Sequence, residues 1–194
     1  MEAPVAPGHA VGPEDKALRD MLWAELHRAS RDRHHEWRTP VLATVGIDGL
    51  PQARTVVLRE VDSAGGSLRV YTDRRSPKVV ELGQTPAATL VFWSTRRNWQ
   101  LRVRCLGTVD TSGPVAEATW ARVKDAPSAR DYLHPAAPGQ ALAAAPEPGA
   151  SSADHHHHLA VITLEVLEMD WLELARTGHR RARVTAAGVS WLVP

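Results

Sequence analysis

Two arginines lie at the ends of one apolar segment, Arg54–Arg59. Successive side chains of a β-strand point to opposite faces, so this spacing places Arg54 on one face and Arg59 on the other. A cation that leaves water on folding costs free energy unless an anion pairs with it. The segment therefore indicates a strand whose cations bind an anion.

A second group of polar residues follows one hairpin later, where Tyr71 and Thr72 precede a predicted helix. Ser76 is a favourable N-cap and Pro77 suits the first helical position, which places Lys78 in the first turn. Unpaired backbone N–H groups at a helix N-terminus, a hydroxyl and an ammonium group can together bind a phosphate.

These two groups predict one site if the fold brings them together. Arg54 or Arg59, together with Lys78, would then neutralise a single dianionic phosphate. The alternative is that these charges lie on solvated strand edges, and spacing alone does not separate the two interpretations.

The elements that must position these residues are mostly strands. Apolar and polar residues alternate in many short runs, and the turn signal at Asp48-Gly49 separates the first two. Hairpin-linked strands with a few short helices are typical of a partly closed antiparallel barrel with peripheral helices. The pattern predicts helices over 14–35, 77–83 and 114–124, and strands over 41–46, 52–61, 67–72, 87–93, 99–109, 159–167, 171–176, 180–185 and 189–193.

A chain of 194 residues is long enough for one domain with a core and too short for two comfortable ones. Residues 1–13 are rich in Pro, Gly and Ala, and we expect a disordered tail there, followed by a single domain over 14–194. Within that domain, 126–158 is too long for an ordinary loop. We expect a flexible Pro/Ala/His-rich insertion with a short helical turn near Arg130–Leu133.

Charge and cysteine content limit the partners and the compartment. The formal net charge is +1, so no global field favours nucleic acid or an anionic membrane. No stretch approaches the length of a membrane-spanning helix, and the N-terminus lacks the apolar core of a signal peptide. Cys105 is the only cysteine, which favours a buried inert thiol and a reducing compartment. We therefore expect a cytoplasmic protein that binds neither nucleic acid nor membrane.

Two further features have a structural and a functional interpretation each. His155–His158 is a run of four histidines that can bind transition metals, but it has no spaced partner motif, so we predict a solvated loop and no metal site. Trp93 and Trp99 flank a basic turn that could stack on a base. Because the chain has no broad basic stripe, packing at a dimer interface is the favoured interpretation.

Several segments, taken in order, resemble the FMN-binding signature of the pyridoxamine phosphate oxidase family. Arg54–Arg59 is similar to the family's Arg-x-Val-hydrophobic-Leu-Lys strand, Tyr71-Thr72 to its Phe/Tyr-Thr pair, and Ser76–Lys78 to its Ser-Arg-Lys turn. Gln100 resembles the glutamine that reaches the flavin ring, and Trp171 resembles a C-terminal tryptophan that precedes a basic motif. A series of matches in order is more specific than any one of them.

This resemblance implies a mainly β (α+β) fold: a six-stranded antiparallel split β-barrel with peripheral helices. It also implies a homodimer with FMN at the subunit interface, where Trp171 and Arg183 would reach the cofactor from the partner subunit. Arg54 and Lys78 would hold the phosphate, and Gln100 would bond to the flavin. The residues that the resemblance assigns to cofactor binding are Arg54, Thr55, Val56, Val57, Leu58, Arg59, Tyr71, Thr72, Ser76, Lys78, Gln100, Trp171 and Arg183.

The chain departs from the family's pattern in two places. Pro77 replaces the arginine of the Ser-Arg-Lys turn, and Arg74 or Arg75 would have to substitute for it. The C-terminal motif lacks the aspartate of the family's Arg-Leu-His-Asp-Arg. The resemblance therefore supports FMN binding more strongly than it supports pyridoxamine phosphate as the substrate. The residues available for a substrate anion are Arg130, His179 and Arg181.

From the resemblance we expect an FMN-dependent oxidoreductase that acts on a small organic substrate, with the redox chemistry supplied by the flavin. The sequence shows no evident general acid or base. Two alternatives stay open on the same fold. One is a non-enzymatic carrier of flavin or haem, and the other is a reductase that uses a deazaflavin.

Overall fold

A computed structural model describes residues 12–142, 144–145 and 156–194. Residues 1–11 of the predicted tail 1–13, and residues 143 and 146–155 of the predicted insertion, lie outside the described residues. No helix in the described ranges has both the length and the apolar character needed to cross a bilayer. The helices are α1 (Pro13–Arg31), α2 (Pro77–Gln84) and α3 (Pro114–Val123), with 3₁₀ turns at Glu36–Arg38 and Pro127–Tyr132. The strands are β1 (Val41–Val45), β2 (Pro51–Thr55), β3 (Leu58–Asp62), β4 (Ser67–Asp73), β5 (Ala87–Ser94), β6 (Trp99–Asp110), β7 (Leu159–Glu173), β8 (Arg180–Thr185) and β9 (Gly188–Leu192).

All of these strands belong to one antiparallel sheet, in the order β2-β1-β5-β6-β7-β4-β3, with the β8–β9 hairpin branching from β7. Strands β2 and β3 lie at opposite edges of this sheet, although only Val56 and Val57 separate them in the chain. Two residues span less than about 7 Å, so the sheet must curl until its edges approach each other. The result is a split barrel, and the predicted mainly β class with peripheral helices is confirmed.

Several predicted boundaries are wrong. The sheet of the described residues has nine strands, where the resemblance implied six. The predicted strand 52–61 is broken because the Val56 N–H still bonds to the Pro40 carbonyl beside β1, whereas Leu58 already pairs with β4. The predicted strands 159–167 and 171–176 are the single strand β7, which contains a bulge. The predicted first helix ends at Arg31, four residues early.

The barrel interior is apolar and is closed at one end by α1. Leu22 and Leu26 of α1 are completely buried against the strands. Tryptophan supplies much of the aromatic mass of the core. The centroid of the Trp99 ring lies 6.4 Å from that of Trp37 and 5.5 Å from that of Trp171. Ring pairs at this spacing stabilise a core beyond their buried area.

A buried carboxylate ties α1 to the segment that precedes β1. The Glu25 Oε1 atom lies 2.8 Å from His35 Nε2, and the His35 Nδ1 atom accepts the Trp37 N–H at 3.0 Å. This pattern fixes a neutral imidazole that carries its proton on Nε2. Burial lowers the pKa of His35 below its usual 6.5, and the nearby Arg28, Arg96 and Arg97 lower it further, against an opposing effect of Asp32.

We predict that the free energy of unfolding decreases as the pH falls below about 6.5, the ordinary pKa of histidine. The unfolded chain then binds a proton at His35 that the folded chain accepts only at lower pH, so protonation favours the unfolded state. Urea unfolding between neutral and acidic pH measures this slope. H35N should flatten it, and H34N, at an exposed neighbour, serves as the matched control. An equal slope in the wild type and H35N would contradict the assignment.

Candidate functional site

Three polar side chains meet where β4 ends and α2 begins. The Lys78 ammonium group donates to Thr72 Oγ1 at 3.0 Å, and the Thr72 and Ser76 hydroxyl oxygens are 3.0 Å apart. Thr72 and Ser76 are buried, and Lys78 is half-buried. In the described part of the chain, no carboxylate lies within ion-pair distance of the Lys78 Nζ atom. The structure therefore brings together three of the residues that the sequence predicted for phosphate binding.

The start of α2 leaves one backbone donor free among the described residues. Ser76 occupies the N-cap position, but its hydroxyl makes no capping hydrogen bond to the helix, because it contacts Thr72 instead. The first N–H groups of an α-helix have no intrahelical partner, and here the side chain that usually satisfies one of them is turned away. Pro77 follows at the first helical position, where its missing N–H costs nothing. The Val79 N–H already bonds to the Ser76 carbonyl at 3.0 Å, so the first turn of α2 presents one backbone donor without a partner among the described residues, the Lys78 N–H.

Arg54 projects from β2 toward α2 and is already paired. Its guanidinium donates to Glu81 Oε2 at 2.8 Å and also to Thr44 Oγ1. The Thr44 hydroxyl in turn donates to the same Glu81 oxygen at 2.6 Å. Glu81 is 5% exposed. The hydrogen bonds from Arg54 and Thr44 therefore replace the hydration that this carboxylate lost on folding.

The electrostatics of Lys78 favour the binding of an anion. Burial lowers the pKa of Lys78 below its usual value, and the charge of Arg54 lowers it further. Glu81 and Asp73 act in the opposite direction but less strongly. Two cations that raise each other's free energy are stabilised by an anion that contacts both. The arrangement is therefore suited to a phosphate group.

Arg59 lies in a different cluster. A bulge places it outside the β3–β4 register, and its guanidinium carbon is 5.6 Å from the centre of the Tyr71 ring. The Tyr71 hydroxyl donates to Glu60, which also accepts from Arg122 of α3. Burial, together with the bond to Glu60, raises the pKa of Tyr71 to about 12. Arg59 and Tyr71 thus form a second cationic cluster and do not join Lys78.

Gln100 lies on the outer face of the barrel. It is opposite Trp93 in the β5–β6 register, and the next outward residue of β6 is Arg102. Its amide is half-buried and has no hydrogen-bond partner among the described residues, so it is available to a ligand. The predicted residues Arg181 and Arg183 occupy the β8 end of the same face and pair with Asp170 and Glu168, at 2.8 and 3.4 Å.

The remaining predicted residues are dispersed. Trp171 is 1% exposed and packs inside the core, so this single chain offers no surface from which Trp171 could reach a partner's cofactor. Arg130 and His179 are exposed and lie on separate segments, at the 3₁₀ turn and before β8. The backbone between Thr55 and Leu58 is the crossing between β2 and β3.

Arg74 and Arg75 are the candidates to replace the missing arginine of the Ser-Arg-Lys turn. Neither of them joins the cluster of Thr72, Ser76 and Lys78. Arg75 pairs bidentately with Asp73 and donates to the carbonyls of 134–136, so it fastens that loop to the start of α2. Arg74 lines a separate cleft of about 520 Å³ with His157 and Trp120, whose rings stack at 4.5 Å. Of the histidine run, His155 lies outside the described residues, and His158 is buried.

Two residues that matter most to the site were not predicted. Glu81 compensates Arg54, and Thr44 bridges the two. The spacing of Glu81, three residues after Lys78 in the predicted helix, places both on one face and was the available signal. No signal could identify Thr44, because its role depends on the β1–β2 register.

Comparison with known proteins matches about half of the chain to one family. The sequence model of the family described as "Pyridoxamine 5'-phosphate oxidase, FMN-binding domain" matches residues 19–111. A pyridoxine/pyridoxamine 5'-phosphate oxidase from Thermosynechococcus vestitus is 48% identical over 90 residues, which are 46% of this chain and 41% of that protein. The matched part covers between 37% and 48% of the length of such curated relatives. The predicted residues beyond β6 lie outside the matched range.

Solved structures establish the fold over nearly the whole chain. A pyridoxamine 5'-phosphate oxidase-related, FMN binding protein from Nostoc punctiforme is 23% identical, with a TM-score of 0.72 over 96% of this chain and 100% of that one. PhzG from Burkholderia lata, solved with tetrahydrophenazine-1-carboxylic acid, is 17% identical, with a TM-score of 0.68 over 96% of this chain and 99% of that one.

We predict that R54A lowers the free energy of unfolding by about 2 kcal/mol, because it leaves the buried Glu81 carboxylate without its cation. R54A/E81Q should recover most of this loss, since the neutral amide needs no counter-charge. Urea unfolding of both variants and of E81Q measures the coupling. Additive effects of the two substitutions would contradict the pairing.

Proposed function

We infer that this chain belongs to the pyridoxamine 5'-phosphate oxidase family of FMN-binding domains, whose sequence model matches residues 19–111. On that premise we propose that it binds FMN and acts as an oxidoreductase on a small organic substrate. The observation that carries the proposal is the half-buried ammonium group of Lys78, which has only the Thr72 hydroxyl as a partner among the described residues. An ammonium group in that setting is stabilised by a bound anion.

The residues present fit the phosphate of FMN. Lys78, the hydroxyls of Thr72 and Ser76 and the first turn of α2 would hold it, with Arg54 adding positive charge. Hydroxyl and backbone donors beside a helix N-terminus suit phosphate oxygens. The Gln100 amide is the free donor and acceptor that a flavin ring needs for orientation. FMN, when bound, supplies the hydride or electron transfer, and the protein contributes position and electrostatics.

We propose that the second cationic cluster faces the substrate. Arg59 lies over the Tyr71 ring and Arg122 contacts the Tyr71 hydroxyl at 3.3 Å, so both guanidinium groups border the same aromatic surface. Glu60 offsets part of their charge by accepting from Tyr71 and Arg122. An anionic or strongly polar substrate is favoured there because the arginines outnumber the one carboxylate. Exposed Arg130 and His179 belong to neither cluster.

We predict that K78M weakens FMN binding roughly tenfold or more, because one buried charged hydrogen bond to phosphate is lost. Binding of riboflavin, which lacks the phosphate, should not change. Titration of flavin fluorescence measures both affinities, and K124M, at an exposed lysine, is the control. Equal losses for FMN and riboflavin would place Lys78 away from the phosphate.

Turnover separates the oxidoreductase from a flavin carrier. The FMN-loaded protein is given pyridoxine 5'-phosphate and a panel of other small organic reductants, and the loss of flavin absorbance is recorded without oxygen and again after oxygen is admitted. Repeated bleaching and recovery supports an enzyme. A flavin that binds tightly but stays oxidised with every compound supports the carrier, and a chain that rejects FMN but binds haem overturns the cofactor assignment.

We further propose that the chain forms a homodimer through the outer face of β1, β5 and β6. Val41, Trp93 and Leu106 project outward there and are exposed, with Trp93 at 45%. Val41 and Trp93 lie toward one end of this face, and Leu106, with Leu167 of β7, lies at the other end beyond Arg102 and Arg104. Large apolar side chains that are exposed on the outer face of a sheet are typical of a protein interface. The free Gln100 amide borders this face, beside Trp93, so the proposed dimer would enclose it.

We predict that W93E converts the dimer to a monomer, because a carboxylate would be buried in an apolar contact. V193E, at an exposed residue near the C-terminus, should leave the mass unchanged. Light scattering after size-exclusion chromatography measures the molar mass. A wild-type protein that elutes as a monomer at all concentrations would remove this proposal without affecting the phosphate site.

A further inference from the structure

A cavity of about 270 Å³ opens at the end of the barrel opposite the phosphate site. The register of β7 explains why it exists. Strand β7 pairs with β4 up to Glu165 and with β8 only from Glu168 onward. Beyond Glu165 the Val166 N–H still bonds to the Gly66 carbonyl at 2.8 Å, but Leu167 pairs with neither strand on that side and is also the extra residue of the bulge against β6. The gap in the sheet is covered by α1, which leaves a space below it.

The cavity has apolar walls. They are formed by Trp23 of α1, Val166 and Met169 of β7, and Val184 of β8. Met169 and Val184 also belong to the buried core, so the cavity reaches from the surface to the barrel interior. Its volume lies just below the usual range of about 300–1,000 Å³ for ligand pockets, which limits it to a small ligand.

One cation lies at its rim. The Arg19 guanidinium is half-buried and donates one hydrogen bond, to the Thr185 carbonyl. In the ranges that the structure describes, no carboxylate lies within ion-pair distance of Arg19. Most of its donors are therefore free, while the contact with Thr185 fixes the direction of the side chain. A held, half-buried guanidinium without a counter-ion attracts a carboxylate, whose geometry matches its fork.

We propose that this cavity binds a small carboxylate with an apolar body, with the carboxylate on Arg19 and the body against Trp23 and Met169. One cation matches a monoanion better than a phosphate dianion. The site is separate from the proposed flavin site, because Gly66 at its rim and Thr72 are six residues apart along β4, or about 20 Å. The inference therefore does not depend on FMN binding.

Benzoate is the probe, with benzyl alcohol as the neutral analogue of similar size. Titrations by calorimetry and by amide NMR should show saturable binding of benzoate, shifts at Gly66 and Thr185, and weak binding of the alcohol. R19Q should weaken benzoate binding roughly tenfold or more, and A186W should abolish it by filling the cavity from its rim. R31Q, at another arginine of α1 without an ion pair among the described residues, should bind as the wild type does.

Thermal melting of each variant establishes that it is folded, and titrations with and without added FMN should give the same affinity. Failure of benzoate to bind up to its solubility limit overturns the proposal. Equal binding by wild type, R19Q and A186W overturns it as well. Shifts confined to the Lys78 region, or competition by FMN, would assign the benzoate to the flavin site and equally reject this one.

Discussion

The exchange of strand partners at Val56 and Val57 is the constraint on which the rest of the structure depends. The chain pairs with β1 as far as Thr55 and with β4 from Leu58, at opposite edges of one sheet. Two residues hold those edges together, so the sheet curls and β4 and α2 are carried to the mouth of the barrel beside β2. The same exchange separates the arginines, because Arg54 contacts Glu81 of α2 whereas Arg59 lies over Tyr71 beside α3.

The balance of charge at the start of α2 then determines what the site can hold. Arg54 is paired with Glu81, and the neighbouring Arg75 is paired with Asp73, whereas Lys78 contacts only the Thr72 hydroxyl among the described residues. Pairing the arginines keeps the folding cost of the buried charges low. The ammonium group and the backbone N–H of Lys78 remain for a ligand. A site with every cation paired would be more stable and would bind no phosphate.

The sequence was sufficient for the local features and insufficient for those that depend on register. Ser76, Pro77 and Lys78 were predicted correctly as a helix start because caps and proline act locally, and β4 follows its alternation closely. The break at Val56 was missed because both halves of 52–61 have strand character, and only the change of partner divides them. The resemblance assigned Trp171 to cofactor binding, but its side chain is buried in the core. A sequence motif does not show whether a residue is buried, because burial depends on the tertiary structure. Glu81 was missed because its partner Arg54 is distant in sequence.

Both candidate binding sites arise from one structural cause. Where a strand changes its partner, the backbone ladder on one flank is interrupted, and side chains fill part of the space. At Val56 and Val57 the change brings Arg54 to α2. At Val166 and Leu167 it leaves the cavity that Arg19 borders. Bulges and register changes cost ladder hydrogen bonds, so these interruptions give space for ligands at the expense of sheet stability. The length of β7, which pairs on one flank with β6 throughout, compensates by holding both halves of the barrel in one strand.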